Sequence, residues 1–407
     1  MKKSDALQKV ERGSLCSGCG LCEGVAKGAV DMRAQKPGFL RPVQVAELSR
    51  EQERKVAEAC PGLKVEPWHE TGDAGTTDVY WGPIRESATG HAADEAVRFR
   101  CSSGGAVSAL AVHALKTGLV EKVVHIAADP DRAWENRTVV SRTVDEVLAG
   151  SGSRYAPSAP LIEIEALLDE GERAVFIGKP CDVSALRRLG RIDRRVDEVF
   201  PVKLSFFCGG IPSHTGAKAI VKQLGFEPEQ IDHFQYRGDG WPGLTKVGDA
   251  TGRREEMTYE NSWGRFLSPQ VQFRCKICPD SVGGVADIAC ADAWYGGESG
   301  YPQFDEAPGR SLILARTEAG ERFLEDAVVS GQVVKEDLPI REIDLMQPAQ
   351  ARRKRLIAAR MAAWRLVGRP VPEMEGLEVA KARRNSPVAA LLKEFAGTLR
   401  RIVKGRI

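Results

Sequence analysis

The chain has 407 residues, of which 43% are hydrophobic and 28% charged, the composition of a globular protein large enough for two or three cores. No run reaches the ~18 apolar residues that a membrane-spanning helix requires, and Met1-Lys2-Lys3-Ser4-Asp5 leads into no apolar stretch, so neither a transmembrane anchor nor a secretory signal is expected. The net charge of +2 conceals an imbalance: residues 351–407 carry 15 Lys/Arg against four Asp/Glu, a surplus of +11 that leaves the remainder at −9.

Without export, a cytoplasmic location is expected, and there thiols are kept reduced. Ten cysteines then point to metal ligation rather than to a disulfide framework. The first cluster is Cys16-x-x-Cys19-x-x-Cys22. Two C-x-x-C steps that share a cysteine form a tight loop presenting three thiolates to one face of a [4Fe–4S] cubane. Gly18 and Gly20 let the backbone curl around it and aim N–H groups at sulfur. A polar helix is expected over 48–59, and Cys60-Pro61-Gly62 behind it supplies the candidate fourth thiolate. The rival is a zinc knuckle, which this spacing suits poorly because no histidine stands at ligand distance in sequence. Glu66 to Pro83 is rich in Gly, Thr and Pro and reads as a linker.

From 84 to 345 short apolar runs alternate with helical patterns. The segment Arg98-Phe99-Arg100-Cys101-Ser102-Ser103-Gly104-Gly105 runs into a helix expected over 106–115. Two hydroxyls and two glycines at a helix N-terminus make an anion site, to which Arg98 and Arg100 would add charge, although such a sequence is also a common helix cap. With the cluster motifs it suggests a dinucleotide such as FAD, and no G-x-G-x-x-G fingerprint is present. A strand is expected over 122–127. Gly152-Ser153-Arg154-Tyr155 is a second Gly/Arg/aromatic loop suited to phosphate binding and ring stacking, or a plain turn.

Helix 162–168, strand 174–177, helix 184–189 and strand 202–207 follow, which argues for an α/β core with a mixed or parallel sheet. Strand ends are where such folds place ligands. Gly178-Lys179-Pro180-Cys181 and Cys208 stand at two of them, and with Cys275-x-x-Cys278 they would complete a second cluster. A reactive thiol beside a flavin is the rival role for Cys181. Cys101 and Cys290 have no C-x-x-C neighbour and read as core residues. Asp182, Asp280 and Asp292 adjoin these motifs as candidate proton donors or, more simply, as capping carboxylates. His113 and His125 read as structural. Helices are expected over 318–328 and 348–365, and an amphipathic one over 387–403, with Leu391, Leu392, Phe395, Leu399 and Ile402 on one stripe.

In their order along the chain these motifs resemble the coenzyme F420 hydrogenase/dehydrogenase beta-subunit family, whose relatives include the ferredoxin-dependent divinyl chlorophyllide 8-vinyl reductases and 7-hydroxymethyl chlorophyll a reductase. The elements that carry the resemblance are the Cys16–Cys22 run, Ser102–Gly105, Gly152–Tyr155, Gly178–Cys181, Phe207-Cys208-x-Gly210, Tyr236-Arg237-Gly238, Cys275-x-x-Cys278-x-Asp280, and Ala286-Asp287-Ile288 through Asp292-x-Trp294. The resemblance implies FAD with two [4Fe–4S] clusters, electrons passing between a ferredoxin-like carrier or reduced coenzyme F420 and a small organic substrate. The alternative is an electron-transfer subunit of a larger redox complex with no substrate site of its own. Cys101 departs from the pattern, since relatives often carry a small residue there.

Three units are expected: an N-terminal ferredoxin-like [4Fe–4S] module over 1–66, a FAD-binding and second-cluster α/β domain with a mixed-sheet (α+β) core over 84–345, and a basic helical extension over 346–407. Nucleic acid is not an expected partner. The extension is expected to present a solvated helical face, or else a peripheral contact to acidic lipid or an acidic redox partner. A homo-oligomer stays open.

Overall fold

The computed structural model describes residues 2–67, 75–295 and 302–405, so the part of the expected linker over 68–74 lies outside the described residues. At its centre is an eight-stranded mixed sheet. Four inner strands, Ile288–Asp292, Val202–Phe206, Ala174–Ile177 and Lys122–Ala128, lie side by side and parallel. Antiparallel strands close both flanks: Ser311–Ala315, Glu86–Ala92 and Val333–Asp337 on one side, Asn136–Ser141 on the other. The mixed sheet agrees with the sequence reading.

The pleat sorts the apolar runs onto two faces. Val123 and Val175 pack under the helices Ala106–Lys116 and Glu318–Val329, whereas their neighbours Val124 and Phe176 pack under Ile164–Glu170 and Pro180–Gly190. Both faces are covered, which is why the inner strands read as continuous apolar runs rather than alternating ones. The carboxyl ends of the parallel strands open onto the loops that hold Lys179, Cys208 and Trp294.

A three-stranded antiparallel sheet, Ile231–Gln235, Leu244–Asp249 and Arg254–Thr258, packs with the helix His214–Gln223 and Trp134. His214 meets Trp134 edge-on, 5.1 Å between centroids, and its Nε2 is buried without a hydrogen-bond partner among the described residues. Burial, helped by Lys218 and Arg132, pushes its pKa down to about 4. The unfolded chain therefore binds a proton that the folded one rejects, and stability falls as pH drops from the unfolded histidine value toward 4. A loss of roughly 2–3 kcal/mol is expected across that window, absent from His214→Gln, in urea titrations at stepped pH.

Two expectations need correction. The linker is not bare: Thr76–Asp78 pairs antiparallel with Gly82–Ile84, and Trp81 is buried there, stacked on Phe207. The basic extension is a solvated face only in part: Lys381, Arg383, Arg384, Lys393 and Arg400 are exposed, but the helix Pro348–Leu366 is anchored. In the helix Pro348–Leu366, Ile357, Met361 and Trp364 join Val10, Leu15, Phe273 and Ile277 in one hydrophobic cluster, with Cys16 and Cys60 at its edge. Strand Glu373–Met374 pairs in parallel with Lys64–Val65. The pattern misled because alanines and arginines wrap this helix without a clean stripe, and long arginine stems bury their carbons while their heads find carbonyls. The last helix, Val388–Val403, is amphipathic as expected, except that Leu392 is exposed. Among the described residues no helix is long and apolar enough to cross a membrane.

Candidate functional site

All ten cysteines are free thiols. Cys16 and Cys19 stand on the loop between the helices Asp5–Arg12 and Leu21–Val25, Cys22 in the first turn of the latter, and Cys60 caps the helix Arg50–Ala59. Gly18 and Gly20 both take the left-handed conformation, φ 84° and 85°, and a Cβ on Gly20 would strike Ile162 and Ala159. Only glycine lets the loop turn this tightly against its neighbours. The four thiols sit close enough to act on one another. Burial, then Cys60, Asp182 and Cys16, raises Cys19 far above the ordinary thiol value. Burial, then Cys16, Cys19 and Cys60, does the same to Cys22, and burial with Cys16 brings Cys60 to about 11. Backbone N–H groups of Leu21, Glu23, Gly62 and Leu63 oppose the rise by donating to these sulfurs.

The second set assembles from three parts of the chain. Cys181 lies in the first turn of Pro180–Gly190, Cys208 just past the strand Val202–Phe206, and Cys275 in the short helix Phe273–Lys276 with Cys278 after it. Burial followed by Cys275 raises Cys208 to about 12, and burial followed by Asp182 raises Cys181, with Cys208 and Cys275 adding to it. The Gly210 N–H donates to Cys208 Sγ at 3.4 Å; the Ile211 N–H and Gln272 Nε2 both donate to Cys275 Sγ at 3.4 Å.

These surroundings fit iron–sulfur clusters. Four buried or half-buried thiols that repel one another as thiolates are what coordinated iron stabilises, and N–H groups aimed at sulfur set a cluster's potential. Among the described residues no three His, Cys, Asp or Glu side chains converge as a single-ion site, and a cubane spreads its ligands more widely than one ion does.

Between the two sets lies one buried ion pair. Lys179 Nζ stands 2.7 Å from Asp182 Oδ2 and donates to Ser158 Oγ at 2.7 Å. The Asp182 carboxylate, overcoming burial, holds Lys179 above the ordinary lysine value. Its charge reaches both sets, since after burial it raises Cys19 as well as Cys181.

A cavity of about 1230 Å³ opens beside this pair. That exceeds the roughly 300–1,000 Å³ of ordinary small-molecule pockets. Eight of the ten residues expected to hold a cofactor line it: Ser102, Ser103, Gly105, Gly152, Ser153, Arg154, Tyr155 and Lys179. Ser102 Oγ and Ser153 Oγ lie 2.6 Å apart, so the two loops meet. Ser103, Gly104 and Gly105 all have positive φ, and the helix Ala106–Lys116 begins with no side chain capping it. Its first N–H groups are thereby left for an anion such as a pyrophosphate. Cys208 and Cys275 of the second set stand on the same wall, and none of the first set does.

Arg100 and Gly104 are not on the wall. Arg100 is exposed, and Gly104 is pressed against the backbone of Gly309 and Arg310. Arg154 lines the cavity, but its guanidinium is spent on protein: it donates to Asn136 Oδ1 and to the carbonyls of Ala133, Glu135 and Phe234. It braces its loop. Asp292 is held bidentate by Arg237, 2.7 Å for each bond, which leaves a structural role; Asp280 caps a turn by accepting the Gly284 N–H. His113 bonds Asp326, and His125 bonds Ser141, both structural as read.

Sequence reasoning singled out Tyr155 and Trp294 but missed Tyr259 and Trp263 beside them. The Arg237 guanidinium lies over Tyr259 and Trp294, at 4.8 and 5.0 Å, and Tyr155 packs on Trp263 at 5.1 Å. Tyr155, Tyr259, Trp263 and Trp294 all face the cavity. Cys101 and Cys290 are buried as expected, yet both also line it.

Two family models match in tandem: the coenzyme F420 hydrogenase/dehydrogenase beta-subunit N-terminal region over residues 87–164 and its C-terminal region over 171–340. The chain belongs to that family. Among its curated relatives, the coenzyme F420 hydrogenase beta subunit of Methanococcus voltae is 26% identical over 301 residues, spanning 72% of this chain and 99% of the relative. The 7-hydroxymethyl chlorophyll a reductase of Oryza sativa subsp. japonica is 27% identical over 222 residues, 54% of this chain and 45% of that protein. In fold, the chain is similar to one from the F420-reducing [NiFe] hydrogenase complex of Methanosarcina barkeri, with a TM-score of 0.53 and 22% identity over 68% of this chain and 91% of the other. The characterised members of the family named here are oxidoreductases or their subunits. Both cysteine sets belong to this family chain, though Cys16, Cys19, Cys22 and Cys60 precede the matched residues.

Proposed function

We propose that this beta-subunit-type chain is an iron–sulfur flavoprotein that relays electrons between a one-electron carrier and an organic two-electron substrate. Cys16, Cys19, Cys22 and Cys60 hold one [4Fe–4S] cluster, Cys181, Cys208, Cys275 and Cys278 a second, and the cavity holds FAD. The observation that carries the reading is that Cys208 and Cys275 of the second set line the same cavity as Ser102, Ser103, Gly105 and Gly152–Tyr155. When bound, the cubanes supply single-electron transfer and the flavin converts it to two-electron chemistry.

The chain's own residues do the rest. The Ser103–Gly105 backbone and the uncapped helix behind it receive the pyrophosphate. Tyr155, Tyr259 and Trp294 offer ring faces and keep water out. The Lys179–Asp182 pair holds a fixed positive and negative charge between both sets and the cavity. The relatives' names support coenzyme F420 as one carrier, with a partner subunit as in the hydrogenase complex; a ferredoxin-like donor is the other carrier proposed.

Anaerobic purification with iron, sulfide and flavin quantified tests this. About eight irons and one FAD per chain are expected from two cubanes and one flavin. Zinc without iron, or no flavin absorbance, would sink the proposal. Gly105→Val, which puts a branched side chain at φ 77° against the Cys101 side chain, is expected to empty the flavin site and leave the iron count unchanged.

A further inference from the structure

The cavity has a second pole. Away from the sequence-predicted loops its wall includes Lys276, Arg352, Arg353, Arg355, Arg360 and Arg401, with Glu394 as the carboxylate among them. Glu394 is shared: Arg360 Nε and Arg401 Nη2 each reach its Oε1 at 2.9 Å. Arg353 donates instead to the carbonyls of Cys208 and Gly209, at 2.8 and 2.6 Å, and Arg360 also to that of Lys276 at 2.6 Å. Carbonyls fix these guanidinium groups without neutralising them. Six cations around one carboxylate in a concave site repel each other, and the pole is pre-organised for negative charge. All but Lys276 come from the helices Pro348–Leu366 and Val388–Val403, past residue 340 where the family match ends.

We infer that this pole is an oxyanion subsite, which binds a carboxylate or phosphate group carried by the substrate and is built by the C-terminal helices. It sits beside Cys208 and Cys275, so an anionic tail held there places the rest of a substrate in the cavity's centre. A small anion fits better than an acidic protein because the arginines line a cavity rather than a flat or convex face. The inference rests on reading the cavity as the redox site.

Calorimetric titration of the anaerobically purified protein tests it, with inorganic phosphate in one arm and citrate in the other. Saturable binding is expected in at least one arm, which tells phosphate from carboxylate, and about tenfold weaker binding in Arg352→Gln/Arg401→Gln. Arg352→Glu alone, at an exposed side chain, is expected to weaken it as well without disturbing the fold. The exposed surface variant Arg194→Gln is expected to bind as the parent does. Equal binding by parent and double variant, or none by the parent, overturns the subsite. So does capture of an acidic ferredoxin that the double variant loses while neither small anion binds. Absence of iron and flavin would sink the redox reading alone, since this titration reads side chains of the chain itself.

Discussion

Replacing Cys275 with alanine is expected to leave about four irons per chain out of about eight, with the flavin retained. Cys275 is the member of the second set with the most defined surroundings. Its sulfur accepts from the Ile211 N–H and from Gln272 Nε2, and it stands on the cavity wall. Removing it deletes a ligand and leaves both donors without their acceptor. The first set shares no ligand with it and is expected to keep its irons. Flavin reduction by a one-electron donor is expected to fall by more than the ~10–100-fold typical of losing a residue that only supports a ligand. Electron paramagnetic resonance after stepwise reduction decides the matter: the remaining cluster is reduced while the flavin stays oxidised. A variant with all irons in place, or with the flavin reduced as fast as in the parent, removes Cys275 from the relay. The mirror variant Cys19→Ala is expected to lose the other four irons and keep the second set.

The contrast between those variants shows which parts of the site were legible in the sequence. Cys16, Cys19 and Cys22 stand out as a set because two C-x-x-C steps can present three thiolates from one tight turn, and short spacing is visible in one dimension. Cys60 is legible only through its Cys-Pro-Gly context. Cys181 and Cys208 follow two neighbouring parallel strands, and the short helix Phe273–Lys276 brings Cys275 to them, so strand-end placement hinted at the first two, the C-x-x-C spacing at the third, and family resemblance grouped them. The inner strands, fully covered by helices, read correctly as apolar runs. Arg154 could not be read correctly from its motif: an arginine in a Gly-rich loop looks like a phosphate ligand, and only the fold reveals four protein acceptors around its guanidinium. The aromatic wall was legible only in part: Tyr155, Trp294 and the Arg237 that lies over Trp294 stand in motifs already singled out, whereas Tyr259 and Trp263 carry no periodicity that would join them to the site. The basic tail was misjudged for the opposite reason. Its charge is conspicuous in sequence, and the apolar cluster that anchors it is not.

That anchoring gives the largest expected effect on stability. Trp364 is fully buried, stacks on Phe273 with centroids 3.8 Å apart, and donates its Nε1–H to the Gly13 carbonyl at 3.0 Å. Phe273 opens the short helix that carries Cys275, and Gly13 opens the loop that carries Cys16. One indole thus ties the C-terminal helix to both cysteine sets. Trp364→Ala is expected to cost about 3–5 kcal/mol, the usual range for emptying a buried aromatic site. Trp364→Phe keeps most of the stacking and loses the hydrogen bond, at about 1 kcal/mol. Urea unfolding of the anaerobically purified proteins measures both. The alanine variant is also expected to lose iron from both sets on dialysis against a chelator, faster than the parent, because cluster retention depends on the scaffold that holds the thiols. A pure packing role would lower stability and leave the chelation rates of both sets equal to those of the parent. A loss confined to one set would show that the indole supports only that one.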